Sequence, residues 1–212
     1  MKLKKKDYLL FIGDSITDCR RNRPIGTIAD GLGFGYVNLI NSFIKSSYPE
    51  YNIDIVNTGI SGDKITDLQT RWKKDVLDLD SNWVTIMIGT NDVWRQIEFP
   101  ENIDQVNIDM FRDIYIELLT SIIHKVDGII LMTPFYIEDN LSDPMRKMMD
   151  EYGKVVKNLS LKFNTLFVDT QKSFDDYLKF NSSSSLADDK IHPNQIGHMI
   201  IVNSFLEIID FN

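Results

Sequence analysis

Five short, nearly continuous apolar runs, each separated from the next by a longer stretch, limit what this chain can fold into. The runs are YLLFI (8–12), IDIVN (53–57), WVTIMI (83–88), GIILMT (128–133) and TLFVD (165–169). A strand with one face in water alternates apolar and polar residues, whereas a strand covered on both faces reads as an unbroken apolar run. Helical spacing lies between the runs. It is carried by Val37, Ile40 and Ile44 over Tyr36 to Ser46, by the stripe Ile65, Leu68 and Trp72, and by the long amphipathic segments Ile108 to Lys125 and Met145 to Phe163. Over Asn194 to Ile209 the stripe is read as Ile196, Ile200, Asn203 and Leu206 or Glu207, with its apolar members facing inward. Strand and helix in alternation predict an α/β fold with a doubly wound parallel sheet. At 212 residues, 43% of them hydrophobic, one domain over 1–212 is expected. Ligands of such sheets bind at the carboxyl ends of the strands.

Four polar clusters fall at those ends: Gly13-Asp14-Ser15, NTGISGD (57–63), GTNDVWR (89–95) and DDKIHPN (188–194). Acyl transfer requires a nucleophile, a base to take its proton, a group that orients the base, and donors aimed at the oxyanion. Ser15 supplies the hydroxyl. Of three histidines, only His192 lies in one of the clusters, and Asp189 precedes it by three residues. The backbone N–H groups of Ser15 and Gly62 and the Asn91 side-chain amide are the candidate oxyanion donors. Asp14, Trp94 and Arg95 are candidate substrate-binding residues because they flank these positions.

These blocks resemble those of the SGNH hydrolases, the GDSL-type esterases and lipases: Gly-Asp-Ser near the start, a glycine after the second strand, Gly-x-Asn-Asp after the third, and Asp-x-x-His near the end. They occur in that order as Ser15, Gly62, Asn91, and Asp189 with His192. The resemblance implies a flavodoxin-like three-layer α/β/α sandwich with a five-stranded parallel sheet, and a Ser-His-Asp mechanism with no metal or other cofactor. Thr90 stands where many members carry glycine, and Ile16 replaces the leucine of GDSL. GDSITDCRRNRPIG, GLGFGYV and NDVWR are similar to bacterial members grouped with carbohydrate acetylesterases, which implies a short-chain, acetyl-directed esterase. A lysophospholipase or thioesterase is the alternative within the class, and a non-catalytic carbohydrate-binding protein the alternative outside it.

Other readings of the same residues are weaker. Ser61 lies in Gly-Ile-Ser-Gly, but Asp63 occupies the last glycine of a G-x-S-x-G elbow, so Ser61 is expected to support Gly62. Asp14 lacks the D-x-D partner of a haloacid-dehalogenase-type phosphatase. GLGFG (31–35) lacks the spacing of a dinucleotide fingerprint and is expected to be a flexible loop. His192 and His198 have no third ligand at zinc-like spacing. His198 is expected to be structural, His124 to sit near a helix C-terminus, and Cys19 to be a small packing residue. A net charge of −8 argues against a nucleic-acid partner. The apolar run after the N-terminal lysines is shorter than the roughly 7–15 residues of a signal-peptide core, and no stretch reaches the ~20 of a membrane helix. A cytoplasmic protein without membrane insertion is expected, acting on a small-molecule or carbohydrate ester.

Overall fold

The computed structural model describes residues 2–25, 29–101 and 105–211; Gly26, the end of the first acetylesterase-like stretch, lies outside them. In chain order the elements are β1 (Tyr8–Gly13), α1 (Ser15–Asp18), α2 (Ala29–Leu32), α3 (Tyr36–Ser47), β2 (Asp54–Asn57), α4 (Ile65–Asp75), β3 (Trp83–Met87), α5 (Thr90–Glu98), α6 (Ile108–Ile122), β4 (Gly128–Met132), α7 (Pro144–Phe163), β5 (Leu166–Val168), α8 (Thr170–Leu178) and α9 (Gln195–Ile208). The five strands form one parallel sheet in the order β2-β1-β3-β4-β5, the flavodoxin-like arrangement.

The unbroken apolar runs are explained by two cores, one on each face. Leu9 and Phe11 of β1 point into the layer that holds Ile40 and Ile44 of α3 and Ile201 and Phe205 of α9. Leu10 and Ile12 point the other way, against Leu68 of α4, Phe111 and Leu118 of α6, and Met149 and Val156 of α7. Gly13, the end of β1, stands opposite Met87, the end of β3, and Asn57, the end of β2, stands opposite Phe11, two residues short of the end of β1. The loops after β1, β2 and β3 therefore leave the sheet at one edge.

Besides the four-residue α1 and α2, two longer helices are absent from the sequence-based reading. Asn91 lies in the first turn of α5 rather than in a bare turn, and α8 stands between β5 and the histidine loop. The phase of α9 also needs correction. Its buried face is Gly197, His198, Ile201, Val202, Phe205 and Leu206, whereas Ile196 and Asn203 are exposed. This helix is apolar almost all round, so spacing alone did not fix which side faces the sheet. The GLGFG stretch is partly helical, since α2 runs to Leu32.

Candidate active site

Ser15 is the first residue of α1. The Asp14 carboxylate caps that helix by accepting from the Ile16 N–H at 3.0 Å. This holds Ser15 at the sheet edge, where its Oγ lies 2.8 Å from His192 Nε2. On the other side of the ring, Nδ1 lies 2.6 Å from Asp189 Oδ2. A carboxylate only accepts, so the Nδ1 proton is donated to Asp189 and Nε2 is left to accept from the serine hydroxyl. Asp189 Oδ1 accepts from the backbone N–H groups of His192 at 2.8 Å and Ile191 at 2.9 Å. Burial acts to raise the Asp189 pKa, but these bonds and the imidazole outweigh it and hold the carboxyl below its usual range.

The histidine loop is fixed at both ends. Lys190 pairs with Glu138, and its carbonyl accepts from Ile137 N–H at 2.8 Å. Asn194 caps α9 by accepting from Ile196 and Gly197 N–H, at 3.0 and 3.3 Å. The Trp94 ring meets the His192 ring edge-on, with centroids 6.4 Å apart.

The oxyanion candidates converge on the same edge. Gly62 has φ +90°, a conformation that a residue with a Cβ adopts only under strain, and a Cβ built there would meet nothing within 4 Å. Gly62 thus faces open space. Its loop is anchored by Ile60 N–H to Gly13 O at 3.0 Å, and by Ser61, whose N–H and Oγ both donate to Asp18 Oδ2 at 3.0 Å. Asn91 is 4% exposed and donates one amide hydrogen to Asp63 O at 3.0 Å, which leaves the second available to a ligand.

Beneath these loops lies a polar layer that the motifs do not disclose. Arg71 donates to Asp63, Asp75 and the carbonyls of Thr58 and Gly13. Asp92 accepts from the Ile65 N–H that opens α4, and burial pushes its carboxyl up to about 7. Asp14, 1% exposed, is likewise raised to about 7, mainly by burial and against the pull of the Ile16 N–H.

Asp14 therefore does not fit its expected place among the substrate contacts: it is buried and its carboxylate is turned to the helix cap. Arg95 is engaged with Glu98 at 3.0 Å and lies over the Trp94 ring at 5.5 Å, so it braces Trp94 from outside. Ser61 is committed to Asp18. His198 is buried, accepts from Tyr36 N–H at Nδ1, and turns Nε2 toward Cys19 Sγ at 3.5 Å; burial lowers its pKa to about 4. His124 is exposed just beyond the end of α6. Ser15, His192, Cys19, Arg20 and Phe34 line a cleft of about 810 Å³. Among the described residues, no group of three or more His, Cys, Asp or Glu side chains is placed to hold a metal ion, and no helix is long and apolar enough to cross a membrane.

The GDSL-like lipase/acylhydrolase family matches residues 11–200. The acetylxylan esterase of Geobacillus stearothermophilus is 48% identical over 213 residues, covering 100% of this chain and 97% of that relative. Its crystal structure matches with a TM-score of 0.98 at 47% identity, over 100% of this chain and 98% of the other. Solved structures of that esterase include catalytic mutants at a serine, an aspartate and a histidine. An alpha/beta hydrolase enzyme from the metagenome of Lake Arreo, Spain, matches with a TM-score of 0.98 at 38% identity, over 100% of this chain and 98% of that chain. The chain belongs to the GDSL-like lipase/acylhydrolase family and is a carboxylic ester hydrolase.

Proposed function

We propose that this esterase removes acetyl groups from carbohydrates through an acyl-enzyme on Ser15. The observation that carries the reading is the unbroken relay from Ser15 Oγ through His192 to Asp189, with contacts of 2.8 and 2.6 Å, at the wall of an open cleft. Ser15 Oγ attacks the ester carbonyl as its proton passes to His192 Nε2. The carbonyl oxygen becomes an oxyanion, held by the N–H groups of Ser15 and Gly62 and by the Asn91 amide. The tetrahedral intermediate collapses, and the departing alkoxide takes the proton from His192. Water then repeats the sequence, giving acetate and free Ser15. Asp189 keeps the imidazole in the required tautomer and stabilises its charge. The named activity of the Geobacillus relative supports an acetylated sugar as the ester.

We also treat 1–212 as one hydrolase domain. In support, one of the two apolar cores draws on both Leu3, near one end of the chain, and Phe211, near the other.

The test is hydrolysis of esters of increasing acyl length beside acetylated sugars. Acetyl esters are expected to turn over faster than esters of eight or more carbons. Preference for long acyl chains, rising at lipid interfaces, overturns the short-chain reading in favour of a lipase. Binding of acetylated sugars without turnover overturns the enzyme reading in favour of a carbohydrate-binding protein.

A further inference from the structure

The GLGFG stretch, which lacks the spacing of a dinucleotide fingerprint, has a use once its surroundings are known. Gly33 has φ +78°, and a Cβ there would lie 2.4 Å from Asp18 O. A Cβ at Gly35 would lie 2.7 Å from the His198 ring and 2.8 Å from Cys19 Cβ. The two glycines let the backbone press against the turn that follows α1 and against α9. Phe34 between them is tied on both sides: its N–H donates to Cys19 O at 2.9 Å, and its carbonyl accepts from Gln195 Nε2 at 2.9 Å. With its backbone wedged in this way, the side chain is presented outward. The Phe34 ring is 60% exposed and lines the same cleft as Ser15 and His192.

An aromatic ring left in water on a fixed backbone, beside a nucleophile, has its apolar face available to a ligand. A pyranose ring offers a matching surface: axial C–H groups on one face and hydroxyls around the rim. Arg20 lines the cleft beside Phe34 and is exposed, so its guanidinium is placed to donate to rim hydroxyls. We propose that Phe34 is the platform on which the pyranose bearing the scissile acetyl group stacks, and that it selects sugar acetates over small alkyl acetates. This rests on the carbohydrate-ester reading above.

The test compares kcat/KM for an acetylated methyl xylopyranoside with kcat/KM for ethyl acetate, which has no ring to stack. A stacking contact of this kind corresponds to about a 3- to 10-fold preference. The ratio of the two values is expected to fall by about that factor in Phe34→Ala and in Phe34→Leu, which keeps apolar bulk but has no flat face. It is expected to be retained in Phe34→Tyr and Phe34→Trp. An unchanged ratio in Phe34→Ala, from an enzyme that does cleave the sugar ester, overturns the platform alone. An equal loss on both esters also overturns it, because Phe34 would then act on the fold of the site. A native enzyme that cleaves ethyl acetate but not the acetylated pyranoside overturns the carbohydrate reading, and the platform with it.

Discussion

Replacement of Asn91 by alanine separates the catalytic role of this residue from its structural one. The side chain is buried in the first turn of α5, with one amide hydrogen committed to Asp63 O at 3.0 Å. Losing that bond strands a buried carbonyl, which costs about 1–3 kcal/mol of stability. For a domain of this size each kcal/mol lowers Tm by roughly 2–4 °C. The second hydrogen has a different fate. It is proposed to meet the carbonyl oxygen as charge develops there, so its contribution is larger in the transition state than in the bound ester. Removing one such donor lowers kcat by about 10²–10³, or roughly 2.7–4 kcal/mol, with little change in KM. Both quantities are to be measured on the same protein: Tm by calorimetry, and kcat and KM on an acetyl ester at a temperature where the variant is folded. Affinity for an acyl boronate, which mimics the tetrahedral adduct, is expected to fall in parallel with kcat. A lowered Tm with kcat within about threefold of the native value would refute the reasoning and leave Asn91 as an anchor of the Asp63 loop.

Ser15→Ala is expected to abolish ester turnover with the fold retained, and a serine-directed phosphonate to label Ser15; mass spectrometry finding the label on Ser61 sinks the assignment. Arg71→Ala leaves Asp63 and Asp75 without their shared cation and four hydrogen bonds unmade, so urea unfolding is expected to show a loss of about 3–5 kcal/mol; a loss under about 1 kcal/mol contradicts the buried-network reading. Asp92 holds its proton more tightly when folded, near 7 against about 3.9 unfolded, so native stability from this group is present below about pH 4 and is lost as pH rises to 7. Asp92→Asn removes that titration, and its stability relative to the native protein is expected to rise by up to about 4 kcal/mol between pH 4 and 7.5; a gap that stays constant with pH refutes it.

The strands were legible because burial on both faces leaves few polar residues inside a run, Asp54 and Thr85 being exceptions; three of the clusters were legible because each directly follows a strand, and the fourth because it directly precedes the last helix. Both signals are local. The helices that escaped notice lack a usable stripe. α5 (TNDVWRQIE) buries only Thr90, Asn91, Asp92 and Val93 at its start, and α8 buries Thr170, Gln171 and Phe174. α9 failed for the opposite reason, being apolar on nearly every side. Asp18, Arg71 and Phe34 were missed because their positions depend on contacts far along the chain: Asp18 with Ser61, Arg71 with Gly13, and Phe34 with Gln195. No spacing rule reports such pairs. The misplacement of Asp14 has a similar cause, since adjacency to Ser15 in sequence says nothing about which way a capping carboxylate turns.

The aspartates of this edge share one physical task. A loop whose N–H groups must point at a developing oxyanion cannot spend them on secondary structure, so other groups have to hold the loop still. Here carboxylates do so by accepting from backbone: Asp14 from Ile16, Asp18 from Ser61 and Arg21, Asp92 from Ile65, and Asp189 from Ile191 and His192. Several of these bonds fix a peptide at or beside a proposed catalytic group: Ile16 after Ser15, Ser61 before Gly62, Ile191 before His192, and His192 itself. Ile65 lies three residues past Gly62, and Asp92 follows Asn91 directly. Buried carboxylates are costly when charged, as the raised values of Asp14 and Asp92 show. A neutral amide would accept the same N–H at lower cost, but with a weaker bond. The acidic layer beneath the cleft thus exchanges stability for a preorganised edge, a trade that an oxyanion site can use because its donors act only if they do not move when charge forms.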